Sequence, residues 1–393
     1  MKKSLILILS LLLTAALLTG CFSFVRLRED QRVESAKDYA YMDKLEEILA
    51  LLEAKHVDGV DEDALGDYLA EAAISATGDR WSYYISAEDY ASYLEQDNNA
   101  YVGIGITITL TNEDDAGFTV KSVTADSPAY HAGIEIGDML VAVEGQNAVE
   151  LGMTETQQLV RGEEGTDVQL TILRGEQTID LTVTRARIET VIVEYEMLDG
   201  QIAYIKINNF DSNSARDTLA AVNQAQQENA SAIVFDLRFN PGGHKNELVK
   251  ILDALLPEGP LFRSVDYNGR EDVDYSDASC LELPMAVLIN GDSYSAAEFF
   301  AAAMQEYEAA VIVGTQTCGK ANYQQTFLLS DGSAIAISTG HYQTPNGVTL
   351  ADCGVTPDEI VELSDEDYLA LYYGQLDKAK DAQLQAALDA LRE

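Results

Sequence analysis

Residues 290–300 read NGDSYSAAEFF and follow directly on the apolar run MAVLI at 285–289. A short run of β-branched and aliphatic residues followed by a helix-forming Ala/Glu/Phe segment describes a buried strand that turns sharply into a helix. The same unit occurs twice more nearby. The helix HKNELVKILDALL precedes this strand, and SARDTLAAVNQAQQENA leads into a second buried strand, SAIVFDLR. After SAAEFFAAAMQEY comes a third, AAVIVGTQT. Such alternation predicts a mainly parallel sheet flanked by helices, with function on the loops at strand ends. Small hydroxyl residues at one of those turns, beside the free N–H groups of a helix N-terminus, are built like a nucleophile turn. Taken alone, Ser and Asp in this place are ordinary N-caps.

Upstream, the period of the pattern changes. YVGIGITITL, GFTVKSV, DMLVAVEG, DVQLTILRG and TIDLTVTR read as short strands, interrupted by one helix in MTETQQLVRG. There Thr154 and Gln157 have the spacing of a capping box. This predicts a compact β-rich module over 101–187. Before it, 34–100 reads as a helical region. Leu45, Ile48, Leu49 and Leu52 recur on one face, and Asp61, Glu62 and Asp63 open a second helix at the positive end of its dipole. The strand and helix repeats fill 188–365, and 366–393 reads as an exposed helical tail able to pack on the first region.

The chain begins MKKSLILILSLLLTAALLTGCFSF. Two lysines, an apolar core and Leu18-Thr19-Gly20-Cys21 mark residues 1–21 as an export signal. That tetrapeptide resembles the lipobox of bacterial lipoproteins, in which the cysteine becomes the lipid anchor. The favoured reading is lipidation of Cys21; the alternative is an uncleaved signal anchor, because Leu5 to Val25 carries no charge and is long enough to span a bilayer. Either places the rest outside the cytoplasm, attached to the bacterial cell membrane.

With 25 Lys and Arg against 66 Asp and Glu, the net charge is −41. This excludes nucleic acid as a partner, since phosphate binding needs clustered cations. It also removes surface attraction to anionic lipid, so an anchor must hold the protein at a membrane. Beyond Cys21 there are Cys280, Cys318 and Cys353, an odd number with no Cys-x-x-Cys pair and room for one disulfide. The four histidines, His56, His131, His244 and His341, are too dispersed to suggest a ligand set. No metal and no cofactor are expected.

Further motifs give the turn its chemistry. DLRFNPGG at 236–243 follows one strand, with paired glycines that let backbone N–H groups face a substrate oxygen. GKANYQ at 319–324 follows another and sets a lysine at the edge of the core, where desolvation favours a neutral amine able to act as a base. His244, directly after NPGG, is the only histidine in a comparable position, and it reads as a surface loop residue.

In the β-rich module, GIGI at 103–106 and SPAYHAGIEIGDMLVAVEG at 127–145 resemble a bacterial PDZ domain. Glycines there let successive N–H groups form an anion-holding nest, and the next strand can accept a peptide on its edge. The resemblance makes Gly103, Ile104, Gly105 and Ile106 the site for a free C-terminus with apolar side chains. From about residue 40 to about 362 the whole chain resembles the carboxyl-terminal processing peptidases, serine proteases with a Ser-Lys dyad. Its motifs DLR-x-NPGG, the serine-rich turn, GK-x-x-x-Q, SDGSAIAISTGHYQTPNG and GVTPDEIV come in the family's order.

The resemblance implies an α/β core of the ClpP/crotonase type, Ser295 as nucleophile, Lys320 as base and Gln324 as orienter of the amine. Glu298 falls at the motif's acidic position, and the N–H groups of Gly242 and Ala296 become oxyanion donors. It further implies protein substrates with free C-termini, a PDZ domain that delivers or gates them, and helical ends that pair two subunits. The sequence departs from the pattern at Tyr294, Ala297, Cys318 and Phe239. Those departures leave open a competing reading, a catalytically silent PDZ adaptor.

Overall fold

The computed structural model describes residues 41–110 and 116–392. The export signal, the apolar stretch from Leu5 to Val25 and Cys21 lie outside them. Among the described residues no helix is long and apolar enough to cross a membrane. The described residues form two compact units, one of residues 41–86 with Gln325–Ile337, the other of those from Ala87 to Gln324 and from Ser338 onward.

The first unit holds α1 (Tyr41–Lys55), α2 (Glu62–Ser75) and β1 (Tyr83–Ile85). Asp61 caps α2 by accepting the Ala64 N–H at 3.1 Å, so the acidic start does more than complement the dipole. Leu45, Leu49 and Leu52 of α1 are half-buried and Ile48 is exposed. β1 pairs antiparallel with Ala334–Ala336.

The second unit opens with α3 (Tyr90–Asp97) and continues into the β-rich module. The predicted strand YVGIGITITL is two strands, β2 (Ala100–Gly103) and β3 (Ile106–Thr109), broken at Gly105. With φ of 84° and a hypothetical Cβ only 2.3 Å from Ser127 Cβ, that position admits no side chain. Then come β4 (Phe118–Val123), α4 (Pro128–His131), β5 (Met139–Val143), β6 (Gln146–Asn147), α5 (Ala148–Val160), β7 (Asp167–Arg174), β8 (Gln177–Thr184) and β9 (Ala186–Glu189). The sheet runs β3-β4-β5-β7-β8, and β2 pairs with β9. The expected capping box at Thr154 is not where α5 starts. The helix begins at Ala148, capped by Asn147, whose side chain accepts the N–H groups of Val149 and Glu150, and it kinks at Gly152 (φ 81°).

The α/β core comprises β10 (Val193–Leu198), β11 (Ile202–Ile207), α6 (Ser214–Gln227), β12 (Ala232–Asp236), α7 (Lys245–Leu255), β13 (Gly259–Asp266), β14 (Glu271–Ser276), β15 (Met285–Ile289), α8 (Ala296–Glu306), β16 (Ala310–Gly314), β17 (Asn322–Leu328), β18 (Ala334–Gln343), β19 (Glu359–Ile360), α9 (Asp365–Tyr372) and α10 (Ala382–Ala390). Its main sheet has the order β10-β11-β12-β15-β16-β19, parallel except for β10. β12 and β15 are buried at every residue because both sheet faces are covered, which is why they read as unbroken apolar runs.

One face packs on α6, α7 and α8, where Phe235 and Phe300 meet edge to face at 5.5 Å. The other is covered by α10, whose Leu384, Ala387 and Leu388 lie against Val234, Ala286, Leu288 and Val313. The C-terminal segment is therefore not an exposed tail. Its sequence is too short for periodicity alone to reveal the buried stripe. Beneath the sheet Asp236, Arg238 and Asp381 form a buried ion network, with Arg238 Nη2 2.5 Å from Asp236 and 2.8 Å from Asp381. Burial pulls the Asp236 pKa up, but the guanidinium charge and hydrogen bonds of Arg238 outweigh it and hold that carboxyl below its ordinary value.

Candidate active site

β15 ends at Ile289 and α8 begins at Ala296, so the quoted stretch is indeed a strand-to-helix turn. Its two serines differ sharply. Ser293 is fully buried; its hydroxyl donates to the Leu237 carbonyl at 2.7 Å and accepts the Asn290 N–H at 3.0 Å, which commits it to structure. Ser295 sits at φ 58°, ψ −123°, a conformation that costs a non-glycine residue energy and recurs at functional turns.

Glu298 holds this turn in place. Fully buried on α8, it accepts the Ser295 N–H on Oε2 at 2.8 Å and the Lys320 N–H on the same oxygen at 2.9 Å. Oε1 accepts the Thr317 hydroxyl at 2.6 Å and the Gly319 N–H at 2.7 Å. One carboxylate thus draws the serine and the lysine, far apart in sequence, onto a single oxygen. Burial raises its pKa, while the four donors act against that rise. The Cys318 N–H adds a further stitch to the Ser293 carbonyl at 3.3 Å. Lys320 Nζ lies 5.9 Å from the centre of the Tyr294 ring, beside the serine. Gln324 donates to Ser338 Oγ at 3.0 Å and to the Asn322 carbonyl at 3.2 Å.

The NPGG loop abuts the same turn. A Cβ on Gly242 (φ 94°) would lie 2.8 Å from Ala296 N, Ser295 Cβ and the Tyr294 carbonyl, so glycine is required for the approach. In this structure the Gly242 N–H donates to Asn240 Oδ1 at 2.8 Å. Asn240, fully buried, also accepts the Tyr294 N–H on its carbonyl at 3.1 Å. Gly242 is therefore adjacent to the Ser295 turn with its donor engaged, whereas Ala296 opens α8 and the next two N–H groups, of Ala297 and Glu298, donate to the Tyr294 and Ser295 carbonyls at 3.3 and 2.9 Å. Phe239 stacks edge-on with Tyr368 and Tyr372 of α9 at 5.2 and 5.4 Å, roofing the loop with aromatic rings.

His244 is not a surface loop residue. It is the N-cap of α7, half-buried, and its Nε2 lies 2.7 Å from Asp97 Oδ1. Asp211 completes a group whose ligand-type atoms lie within 4.8 Å of one another. Residue 97 is too far from 244 in sequence for any spacing rule to reveal the pair. The hydrogen bond that the imidazole donates to Asp97 raises the His244 pKa, and burial pushes Asp211 up to about 6. No disulfide joins Cys280, Cys318 and Cys353.

In the β-rich module, Gly103, Ile104, Gly105 and Ile106 line one cavity of about 270 Å³, with Gln157, Val160 and Arg161 of the α5 end opposite. The four residues expected to read a chain end thus share one concavity.

Residues 201–361 match peptidase family S41, and residues 119–174 match a PDZ domain. A CtpA-like serine protease of Staphylococcus epidermidis is 31% identical over 336 residues, which is 84% of this chain and 67% of that one. The carboxy-terminal processing protease CtpA of Bacillus subtilis is 29% identical over 384 residues, 96% of this chain and 81% of its own. A solved S41-type chain from Bacteroides fragilis shares the fold, with a TM-score of 0.52 at 18% identity, covering 92% of this chain and 99% of that chain.

Proposed function

The chain belongs to peptidase family S41, as a carboxy-terminal processing serine protease with a PDZ domain, and on that premise we propose that it cleaves exported proteins by a Ser295-Lys320 dyad after reading their free C-termini. The observation that carries this reading is the shared Glu298 oxygen, which fixes the backbone of the serine and of the lysine together.

Neutral Lys320 takes the Ser295 hydroxyl proton as Oγ bonds to the peptide carbonyl carbon. The developing oxyanion is met by the Ala296 N–H and, once it leaves Asn240, by the Gly242 N–H. Collapse breaks the C–N bond, and the leaving amine takes the proton from Lys320. Water, deprotonated by the same lysine, then bonds to the acyl carbon, the ester bond to Ser295 Oγ breaks, and Lys320 returns the proton to Oγ. Gln324, whose side-chain amide donates to Ser338 Oγ, orients this amine. The GIGI loop, Gly103 to Ile106, receives the substrate carboxylate, and apolar side chains enter the cavity behind it. Lipidation of Cys21, or retention of the apolar segment as an anchor, keeps the enzyme on the outer side of the cell membrane.

The test is cleavage of an unfolded protein with an apolar C-terminus by the detergent-solubilised full chain. Ser295→Ala and Lys320→Ala should each lower the rate by about 1,000-fold or more, and Lys320→Arg should not rescue it, because guanidinium stays protonated. Amidating the substrate tail should slow the parent enzyme. Tail binding with no cleavage by the parent would instead support an adaptor.

A further inference from the structure

Among the described residues the peptide groove has a single cation in its lining, Arg161, in a chain whose net charge of −41 otherwise repels an incoming carboxylate. That cation is already engaged. Arg161 Nη1 lies 2.8 Å from Glu95 Oε2, and its guanidinium stands 5.1 Å from the centre of the Tyr101 ring, which also lines the groove. Glu95 belongs to α3, outside the PDZ fold, and its other oxygen accepts the Val102 N–H at 3.3 Å, one residue before the GIGI loop. The two side chains are 48% and 31% exposed. An ion pair this wet contributes little to stability, so exchanging one carboxylate for another is cheap.

We propose that Arg161 is a second anchor for the α-carboxylate of the substrate and that Glu95 occupies it until a tail arrives. A guanidinium presents its donors in a planar fork that suits a carboxylate, whether from Glu95 or from a chain end. Val160, Ile104, Ile106 and Ile108 supply the apolar wall for the last side chain, and Arg161 stands at the end of α5 beside them. Glu95 thereby sets a threshold. Weakly bound internal segments leave the pair intact, whereas a free terminus, whose carboxylate also meets the GIGI backbone, displaces it.

This rests on the tail-reading role of the groove proposed above, and the experiment separates the two. Binding of a labelled apolar decapeptide, as free acid and as C-terminal amide, is measured by fluorescence anisotropy on the full chain carrying Ser295→Ala. Arg161→Gln should weaken the free acid about tenfold, with Arg161→Lys in between, and should flatten the salt dependence of binding. Glu95→Gln should tighten the free acid several-fold without changing the amide. In the double variant the gain from Glu95→Gln should vanish.

Equal affinity of parent and Arg161→Gln for the free acid, or weaker binding by Glu95→Gln, would overturn the proposal alone. Failure of the parent to prefer free acid over amide would overturn the tail-reading role and this proposal with it. Because the two single variants move affinity in opposite directions, misfolding of either cannot imitate the result.

Discussion

The Ser295 turn and the cavity lined by Gly103 to Ile106 use charge in opposite ways. At the turn, Glu298 is fully buried and both of its oxygens are filled by donors from α8's own start and the lysine loop. At the groove, Glu95 and Arg161 form a wet ion pair that water or another carboxylate can replace. Buried and saturated, a carboxylate fixes geometry, because moving any donor leaves an unmet bond in a low-dielectric site. Exposed, the same group becomes an exchangeable partner. Under the proposed function, the rigid kind lies where reacting atoms are held and the loose kind where a substrate enters.

The largest effect that could break this contrast is steric. Gly242→Ala puts a methyl group 2.8 Å from the Ser295 and Ala296 backbone region, and activity should fall about 100-fold or more, with peptide binding in the groove unchanged. Steady-state cleavage and anisotropy on the same preparation check both halves.

Next in size is the direct comparison of the two glutamates. Glu298→Ala orphans three backbone N–H groups and the Thr317 hydroxyl, and should cost about 3 kcal/mol or more in chemical denaturation. Glu95→Ala should stay within about 0.5 kcal/mol of the parent. Similar losses for both would erase the distinction.

The smallest effect lies between these extremes, at the half-buried His244 and its neighbours. Asp97, Asp211 and Glu247 face the imidazole, with Lys250 paired to Glu247 at 2.6 Å. Burial pulls Glu247 up but the Lys250 hydrogen bond and the His244 charge outweigh it and hold that carboxyl below its ordinary value, whereas Asp211 and His244 have raised pKa values in the folded chain. Protonated forms are therefore favoured by folding, and their stability is complete at low pH and lost as pH rises. For Asp211 the loss runs from the ordinary carboxylate range through about 6; for His244 it follows above 6.5, through its raised value. Asp211→Asn should remove the acidic part of the slope and His244→Gln the later part, each by about 3 °C or less in Tm measured from pH 4 to 8. Unchanged slopes in both variants would show that the cluster does not titrate with folding.

Much of this architecture is legible in the sequence because it is local. The turn after MAVLI, the glycines of NPGG and GIGI, and the unbroken apolar runs of β12 and β15 are all short-range patterns with one physical reading. Partners across long separations leave no such trace. Nothing in the sequence joins Asp97 to His244, Arg238 to Asp381 or Arg161 to Glu95, because a surface acid looks the same whichever cation it meets. The strain at Ser295 is equally invisible, since serine at a helix start reads as an ordinary cap until its φ of 58° is seen. Helix α5 shows the converse error. A Thr-x-x-Gln spacing was available at Thr154, but Asn147 starts the helix earlier and Gly152 absorbs the bend.

The central claim, that the backbone held by Glu298 activates Ser295 through Lys320, is tested most directly by labelling the full chain with a fluorophosphonate and locating the adduct by peptide mass spectrometry. The account predicts modification at Ser295 alone, accelerating as pH rises and lost in a folded Lys320→Ala variant. Labelling at the structurally committed Ser293, or equal labelling of Ser295 with and without the lysine, would contradict it.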